Sequence, residues 1–289
     1  RGGVATENID EVLMGCVLPA GLGQAPARQA SLGSGIPNTT GCTTVNKMCG
    51  SGMKTAMLAN DSLLAGTNEV MVAGGLESMS NAPYILPKAR SGQRLGHGQM
   101  MDHMFLDGLE DAFDKGILMG VFAERTAKSY GFSREAQDEF AIRSLTRAKK
   151  AIEDGSFNTE VTPVTYKNRQ GEVIVDQDEQ PLTANFEKIP KLKPAFDKDG
   201  TVTAANSSSI SDGAAALVMM RESIAKKRDL KPIARVLAHS SFAHEPAWFT
   251  TAPVGAIRKL LKTVDWNIND VDLFEINEAF AVVTMAAMK

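Results

Sequence analysis

Cys49 is the side chain whose surroundings best suit covalent chemistry. It lies in the segment VNKMCGSG, between a short strand predicted at residues 43–46 and an apolar helix predicted to stop at Gly66. Unpaired N–H groups and the dipole at the start of a helix favour an anion, and therefore a nucleophilic thiolate. Gly50 and Gly52 would let a substrate approach closely and leave N–H groups as oxyanion donors. The alternative is an inert, buried cysteine before a glycine-rich cap, and the residues alone leave both interpretations open.

Two later segments combine small or polar residues in ways that suit ligand contact. The first reads GTVTAANSSSISDG at residues 200–213, a loop whose backbone and hydroxyl groups a ligand could approach. The second reads EINEAF at residues 275–280, where a predicted strand meets a helix that is predicted to begin at about Asn277. Asn277 could orient a water or a substrate oxygen, and Phe280 could wall an apolar pocket. The alternatives are a plain turn cluster and a helix cap at Asn277.

Composition and charge narrow the class of protein. The 289 residues are 43% hydrophobic and 22% charged, which is typical of a globular chain. A net charge of −3 gives no general attraction to nucleic acid, and no apolar stretch is long enough to span a bilayer. The three cysteines and four histidines show neither a disulfide framework nor metal-ligand spacing, so we predict no metal site. Free thiols suit a reducing compartment, which favours a cytoplasmic protein.

Alternating strand and helix patterns predict an α/β fold. Strands are predicted at residues 11–17, 43–46 and 69–73, with helices at 26–32 and after Gly52. Further along, the patterns indicate a long helix capped by Ser133, a hairpin within residues 161–175 and an apolar core element at 213–220. The alternation restarts after Lys231, with strands at 233–238 and 272–276 around a helix at 254–261. We therefore expect a helix-covered parallel sheet and a second α/β half after an inserted middle section.

Five segments, in the same order, resemble the thiolase family, which comprises acetyl-CoA acetyltransferases and 3-ketoacyl-CoA thiolases. They are VNKMCGSG, VAGGLESMSNAPY at 72–84, MGVFAE at 119–124, KLKPAFDKDGTVTAANSSSISDGAA at 191–215 and EINEAF at 275–280. The resemblance implies a five-layered αβαβα fold with an inserted loop domain and an incomplete second half. It divides the chain into an N-terminal half at 1–78 completed by 211–231, a loop domain at 79–210 and a truncated C-terminal half at 232–289.

The same resemblance implies an acyl-CoA C-acyltransferase that condenses two acetyl-CoA or cleaves 3-ketoacyl-CoA with CoA. Cys49 would carry the acyl group as a thioester and Asn277 would hold a water of an oxyanion hole. The positions that match the pantetheine contacts are Ser208, Ala204 and Met119, and Phe280 matches the acyl pocket. CoA and acyl-CoA would be substrates, with no permanently bound cofactor. Family members act in fatty acid metabolism as homodimers or homotetramers, and we expect no nucleic acid or membrane partner.

The chain departs from the family pattern in its catalytic apparatus. The family's catalytic His, in a Gly-His-Pro motif, and its second Cys, in a Cys-Gly-Gly-Gly segment, do not occur in residues 1–289. Both ends of the sequence look cut. Because general acid–base groups are missing, we expect this chain alone to be inactive or unstable. A non-catalytic thiolase-fold protein that binds CoA esters or assists assembly is the alternative. A ketoacyl-synthase-type enzyme is disfavoured by the segment Asn-Glu-Ala-Phe, and acyl chain length stays open.

Overall fold

The computed structural model describes residues 2–289, which form two compact units. The first unit takes the chain up to Met119 together with residues 210–241 and 260–266, and the second takes residues 120–209, 242–259 and 267–289. The strands are β1 (Glu11–Gly15), β2 (Gly41–Val45), β3 (Val70–Ser78), β4 (Tyr84–Ile85), β5 (Met101–Asp102), β6 (Val164–Asn168), β7 (Gly171–Val175) and β8 (Asp212–Met220). The helices are α1 (Pro26–Gly33), α2 (Ser51–Ala65), α3 (Met119–Tyr130), α4 (Arg134–Glu153), α5 (Glu179–Thr183), α6 (Glu222–Lys227), α7 (Ala252–Val264) and α8 (Ala281–Met288).

A four-stranded mixed sheet forms the centre of the first unit. Its order is β2-β1-β3-β8, with β1 parallel to both of its neighbours and β8 antiparallel to β3. Alternate side chains of β1 point to opposite faces, as the period of a strand requires. Val12 and Met14 join a buried cluster with Ala27 of α1, whereas Leu13 joins a second cluster with Leu63 of α2. Helices therefore cover both faces, and the carboxyl ends of the parallel strands all open toward the same edge.

Most of the elements predicted from the sequence are confirmed. Strands and helices stand close to the expected positions up to α2, and the hairpin of β6 and β7 is present. Ser133 caps α4, its hydroxyl accepting the N–H of Ala136 at 3.2 Å. The third strand was predicted to stop at Gly74, but β3 continues to Ser78 because β8 pairs with its whole length.

The second half of the chain departs from the prediction. Residues 233–238 and 272–276 were predicted as strands, but no strand is present there, because an apolar segment forms a strand only where a neighbouring strand supplies hydrogen bonds. Ile233 is fully exposed and Leu273 is 88% exposed. The segment at 213–220 does form β8, yet its apolar side chains are largely exposed rather than core. Finally, α8 begins at Ala281 and not near Asn277.

Candidate active site

Cys49 lies in a tight turn between the end of β2 and the start of α2. Met48 has a positive φ of 50°, an unusual conformation for a residue with a side chain. The turn is closed by two backbone bonds, from Gly50 N–H to Lys47 at 3.2 Å and from Ser51 N–H to Met48 at 3.0 Å. Cys49 is exposed, and no side chain caps the N-terminus of α2. The prediction of a cysteine in a strand-to-helix turn is confirmed, and Cys49 is not buried as the alternative required.

The first turn of α2 approaches the sheet closely. Glycines of the Cys49 segment were expected to allow such close approach, but glycines of the sheet do so. A Cβ on Gly15 would lie 2.6 Å from the carbonyl carbon of Ser51, and one on Gly75 would lie 3.3 Å from Gly52 Cα. Glycines of β1 and β3 therefore allow the close approach. Gly50 was expected to offer a free N–H, but this group already bonds to Lys47. The glycine requirement lies mainly in the sheet rather than in the helix.

Two polar side chains hold the turn of Cys49. Asn46 Oδ1 accepts the N–H of Met48 at 3.0 Å, as in a local Asx turn. Buried Ser51 accepts the N–H of Lys47 at 2.8 Å with its Oγ and donates to the carbonyl of Met48 at 2.5 Å. Sequence reasoning did not assign a role to either side chain. The available signal for the first of them was an Asn at the end of a predicted strand, since Asn commonly bonds to the backbone two residues further on.

A mostly apolar pocket of about 510 Å³ opens beside Cys49. Its apolar walls come from β1, β3, β8, the Cys49 turn and the one-turn π-helix Phe105–Leu109 with the residue that precedes it. The lining side chains other than glycine are Val17, Leu18, Met48, Cys49, Ser51, Leu76, Glu77, Met79, Met104, Leu109, Ala214 and Ala215. Glu77 and Cys49 are the ionisable members of this lining. A pocket that is apolar except for a few placed polar groups is suited to an organic acyl group.

Glu77 contacts the chain immediately after β1. Its carboxylate accepts the N–H groups of Val17 and Leu18 at 2.8 and 2.9 Å. The thiol of Cys16 donates to the same carboxylate at 3.6 Å. Burial, followed by the negative charge and the hydrogen bond of Glu77, raises the pKa of the Cys16 thiol to about 11. Cys16 therefore stays protonated at neutral pH and serves as a hydrogen-bond donor.

In the second unit, the loop that contains Ala204 and Ser208 lies against the segment after Asn277. Ser208 donates its N–H to the carbonyl of Ala279 at 2.9 Å and its hydroxyl to the carbonyl of Glu278 at 2.7 Å. Ala204, Ser208 and Asn277 are exposed, and Asn277 lies before the cap of α8, so the helix-cap alternative is wrong. This arrangement brings Ser208 beside the predicted EINEAF segment.

Phe280 and Met119 are the remaining two residues that the sequence predicted to belong to the site. Phe280 is buried at the start of α8, where its ring meets that of Phe196 edge to face at 6.1 Å. Met119 is the first residue of α3 and the last residue of the first unit in its part of the chain, and it is half-buried. Cys49 and Met119 therefore belong to the first unit, whereas Ala204, Ser208, Asn277 and Phe280 belong to the second.

A buried polar network, which sequence reasoning missed, shapes the loop that carries Ala204 and Ser208. The carboxylate of Glu124 accepts the N–H groups of Thr201 and Val202 at 2.8 and 2.7 Å. Asn206 is 3% exposed, donates to Asp138 at 3.1 Å and accepts the N–H of Thr203 at 2.7 Å. Buried amides and carboxylates need such partners, so the loop has one defined conformation. The sequence offered one clue, because Glu124 and Asn206 both lie within the segments that carried the family resemblance.

Histidines and metal ligands contribute nothing to the pocket. Among the pocket-lining residues there is no histidine. Two of the four pair with carboxylates, His103 with Asp107 at 2.7 Å and His239 with Asp61 at 2.8 Å. Within residues 2–289, no group of three or more metal-ligating side chains comes together.

No helix in the part of the chain that the structure describes has the length and apolar character needed to cross a membrane.

Fold and site together define an α/β protein with an exposed cysteine just before a helix N-terminus and beside an apolar pocket. Residues 1–223 match the family model for the thiolase N-terminal domain, and residues 230–289 match that for the thiolase C-terminal domain. The chain therefore belongs to the thiolase family.

Relatives and solved structures agree with this assignment. The chain is 48% identical to an acetyl-CoA acetyltransferase of Thiocystis violacea, over 99% of this chain and 73% of that protein. It is 46% identical to the mitochondrial acetyl-CoA acetyltransferase of Rattus norvegicus, over 100% of this chain and 68% of the relative. The acetyl-CoA acetyltransferase of Bacillus anthracis superposes with a TM-score of 0.95 at 44% identity, over 99% of this chain and 73% of that one.

The Acat5 thiolase of Ascaris suum, solved in complex with coenzyme A, superposes with a TM-score of 0.92 at 41% identity and the same coverage of 99% and 73%. The predicted α/β fold of thiolase type is confirmed by these superpositions. The relatives are named as acetyltransferases, so the chain is placed among the acyltransferases.

Proposed function

We propose that the protein is an acyl-CoA C-acyltransferase in which Cys49 accepts the acyl group. The observation that carries the proposal is an exposed cysteine in a turn before an uncapped helix N-terminus, beside an apolar pocket of about 510 Å³. In the first step, Cys49 Sγ attacks the carbonyl carbon of acetyl-CoA. The bond from that carbon to the CoA sulfur breaks, and the proton lost by Cys49 is taken up by the departing CoA thiolate.

The second step regenerates the thiol. In condensation, the α-carbon of a second acetyl-CoA loses a proton and attacks the acetyl thioester, which gives acetoacetyl-CoA and returns the proton to Cys49 Sγ. In the degradative direction, Cys49 Sγ attacks the 3-keto carbon of a 3-ketoacyl-CoA. The bond from that carbon to the α-carbon breaks, and the α-carbon takes up the proton lost by Cys49 and leaves as acetyl-CoA. The thiol of free CoA then attacks the acyl thioester, which releases the shortened acyl-CoA and returns the proton to Cys49 Sγ. Both directions use CoA and its esters as substrates, and neither requires a permanently bound cofactor.

The family resemblance supplies the remaining roles in this proposal. Asn277 holds a water that donates to a thioester oxygen, and Ser208, Ala204 and Met119 contact the pantetheine arm. Exposure of Ala204, Ser208 and Asn277 supports these roles, because a ligand can reach all three side chains. Phe280 is assigned to the acyl pocket by the resemblance alone, because it is buried against Phe196 and is not among the residues that line the pocket beside Cys49. All of these roles rest on the family resemblance, and exposure supports those of Ala204, Ser208 and Asn277.

We further propose that residues 1–289 alone complete the first step and do not turn over. General acid–base catalysis requires a titratable group within reach of the reacting atoms. Among the residues that line the pocket, Glu77 is the one candidate besides Cys49, and its carboxylate is already bonded to backbone N–H groups. The homodimer or homotetramer and the cytoplasmic location stay predictions, and several relatives are named as mitochondrial.

A non-catalytic protein that binds CoA esters is the second candidate. It is favoured by one observation, the lack of a histidine or lysine among the pocket-lining residues. Such a protein would bind acetyl-CoA without forming a covalent adduct. The exposed position of Cys49 argues against it, because a purely binding role does not require a thiol at this place.

Intact-mass spectrometry after incubation with acetyl-CoA separates the two candidates. The acyltransferase predicts one acetyl group per chain and one equivalent of free CoA. The adduct should be absent from Cys49→Ala and unchanged in Cys42→Ala, a matched control at the other partly accessible thiol. Calorimetric binding of acetyl-CoA with no adduct on the native chain would favour the binding protein. Sustained turnover by the chain would contradict the proposed restriction to the first step.

A further inference from the structure

The chain leaves the sheet after β1 with donors that converge on one carboxylate. The N–H of Cys16 still bonds to Val45 of β2 at 3.0 Å. The next two N–H groups, of Val17 and Leu18, donate to Glu77 at 2.8 and 2.9 Å. Leu18 is 4% exposed, so water does not readily replace this partner. Because unpaired donors are unfavourable in a buried turn, Glu77 fixes the course of the chain here.

The strand register explains why Glu77 reaches these groups. The last β1–β3 pair is Gly15 with Gly75, and β3 continues beyond it, which puts Glu77 level with Val17. Side chains on a strand alternate, so Glu77 shares a face with Gly75. A Cβ on Gly75 would point at Gly52 of α2, at 3.3 Å. The carboxylate therefore lies on the face of the sheet that carries α2 and the turn of Cys49.

A continuous series of hydrogen bonds leads from Glu77 to that turn. Val17, held through its N–H, accepts a bond from Asn46 Nδ2 at 3.3 Å with its carbonyl. The amide oxygen of the same side chain, Asn46 Oδ1, accepts the N–H of Met48 at 3.0 Å. Met48 immediately precedes Cys49 and holds the positive φ of the turn. A change at Glu77 can therefore move the thiol without any direct contact to it.

We propose that Glu77 is a positioning residue for acyl transfer to Cys49, an inference that rests on the proposed function. Its carboxylate holds Val17 and Leu18 as one wall of the pocket. Through Val17 and Asn46 it also fixes the turn that presents the thiol. The role is carried by backbone hydrogen bonds, and it requires no proton transfer by Glu77.

The chain offers a matched control at the opposite end of β3. There the carboxylate of Asp10 accepts two consecutive N–H groups, of Glu69 and Val70, at 2.7 and 2.9 Å. Both carboxylates thus bind consecutive backbone donors in the same sheet, but the residues that line the pocket include Glu77 and not Asp10. Glu77→Ala and Asp10→Ala remove the same kind of contact, and Glu77→Gln is a milder second variant that keeps one oxygen acceptor.

The test is the rate at which acetyl-CoA acetylates Cys49 in the full chain, followed by quenching and intact-mass analysis. Loss of a charged acceptor for two donors should lower the rate in Glu77→Ala by roughly tenfold or more, with a smaller loss in Glu77→Gln. Asp10→Ala should stay within about twofold of the native rate, although its thermal midpoint should fall as far as that of Glu77→Ala. Asn46→Ala should lower the rate, and its combination with Glu77→Gln should be less than additive because both act through one path.

Equal losses of rate in the Glu77 and Asp10 variants, or a native rate in the Glu77 variants, would overturn the inference. So would a rise in both acetylation and iodoacetamide alkylation at Cys49, which would mean that Glu77 acts by its charge. If the native chain is not acetylated, the proposed function fails for this chain. The positioning role of Glu77 is then tested by the alkylation rate of Cys49, measured by peptide mapping and compared with the rate at Cys42 in the same chain. A fall of more than about threefold in Glu77→Gln but not in Asp10→Ala supports positioning, and equal rates refute it.

Discussion

Cys16 and Cys49 follow neighbouring parallel strands of one sheet, yet their surroundings differ in the properties that govern a thiol. Cys16 comes directly after β1, is 1% exposed and donates to the carboxylate of Glu77 at 3.6 Å. Cys49 lies between β2 and α2, is exposed and stands just before a helix N-terminus without a side-chain cap. The first environment favours the neutral thiol, whereas the second leaves the thiol accessible to a reagent.

The difference shows that the segment that follows each strand determines the environment of its cysteine. At the end of β1, the strand continues into a turn whose N–H groups are occupied by Glu77. There the raised pKa of Cys16, about 11, keeps its thiol protonated, so that it stays a hydrogen-bond donor. At the end of β2, the turn leads into a helix, and the thiol of Cys49 stays accessible. Cys16 therefore takes part in a structural hydrogen bond at this edge of the sheet, whereas Cys49 is accessible there.

The largest expected effect is a difference in alkylation rate between the two thiols. A pKa raised from 9.0 to about 11 leaves Cys16 with roughly a hundredfold less thiolate than an ordinary cysteine. Burial lowers its rate further. We expect brief iodoacetamide treatment of the native chain at about pH 8 to modify Cys49 and spare Cys16, as measured by peptide mapping over time.

Denatured chain is the control for this experiment, since all three cysteines should then react at similar rates. Comparable native rates at Cys16 and Cys49 would contradict the comparison. A native chain in which neither thiol reacts would mean that the turn of Cys49 is closed to small reagents.

A smaller effect is expected from Ser51→Ala, which acts on the Cys49 side of the comparison. Its Oγ accepts the N–H of Lys47 at 2.8 Å and donates to the carbonyl of Met48. Removing a buried hydroxyl with two partners should lower the free energy of unfolding by about 1–3 kcal/mol. Because the turn loosens, acetylation of Cys49 should also slow, by roughly three- to tenfold.

Thr55→Val is the matched control, because the buried hydroxyl of Thr55, one turn further along α2, shares its proton between the carbonyls of Gly52 and Gly74 at 2.7 and 2.8 Å. It should lower stability similarly, as measured by denaturant unfolding, with little change in acetylation. If both variants slow acetylation equally, the turn of Cys49 depends on general stability rather than on Ser51.

The local part of the site could be predicted from the sequence. An apolar run, a Cys, two glycines and an apolar helix follow one another within VNKMCGSG, so the strand, turn and helix were visible from neighbouring residues alone. Ser133 was likewise identified as a cap from its place before a periodic segment, and α4 begins directly after it. Contacts within a few residues are encoded by residue type and spacing, which is why these predictions are confirmed.

Contacts that depend on strand register could not be predicted. Glu77 meets Val17 because β1 and β3 pair with Gly15 opposite Gly75, and nothing in the local sequence specifies that pairing. For the same reason the strands predicted at residues 233–238 and 272–276 were wrong. A short apolar segment can have a composition that suits a strand, but a strand exists only where another strand supplies hydrogen bonds.

The smallest expected effect concerns the dependence of stability on alkaline pH, which should differ between the native chain and Cys16→Ala. Below about pH 9 the thiol of Cys16 is protonated in both the folded and the unfolded chain, so its contribution is fully present. Between pH 9 and 11 the unfolded thiol ionises while the folded thiol, with its pKa of about 11, keeps its proton. Stability is therefore lost as the pH rises through this range.

Cys16→Ala removes the titrating group, so its free energy of unfolding should fall by about 1 kcal/mol less than that of the native chain between about pH 8 and pH 10. Denaturant unfolding at both pH values measures this, and Cys42→Ala serves as the control for removing a thiol that has a different environment. Because Tyr and Lys residues also titrate in this range, the difference between the two slopes is the informative quantity. Parallel slopes would mean that Cys16 is not held as a neutral donor by Glu77, and the contrast with Cys49 would then reduce to exposure alone.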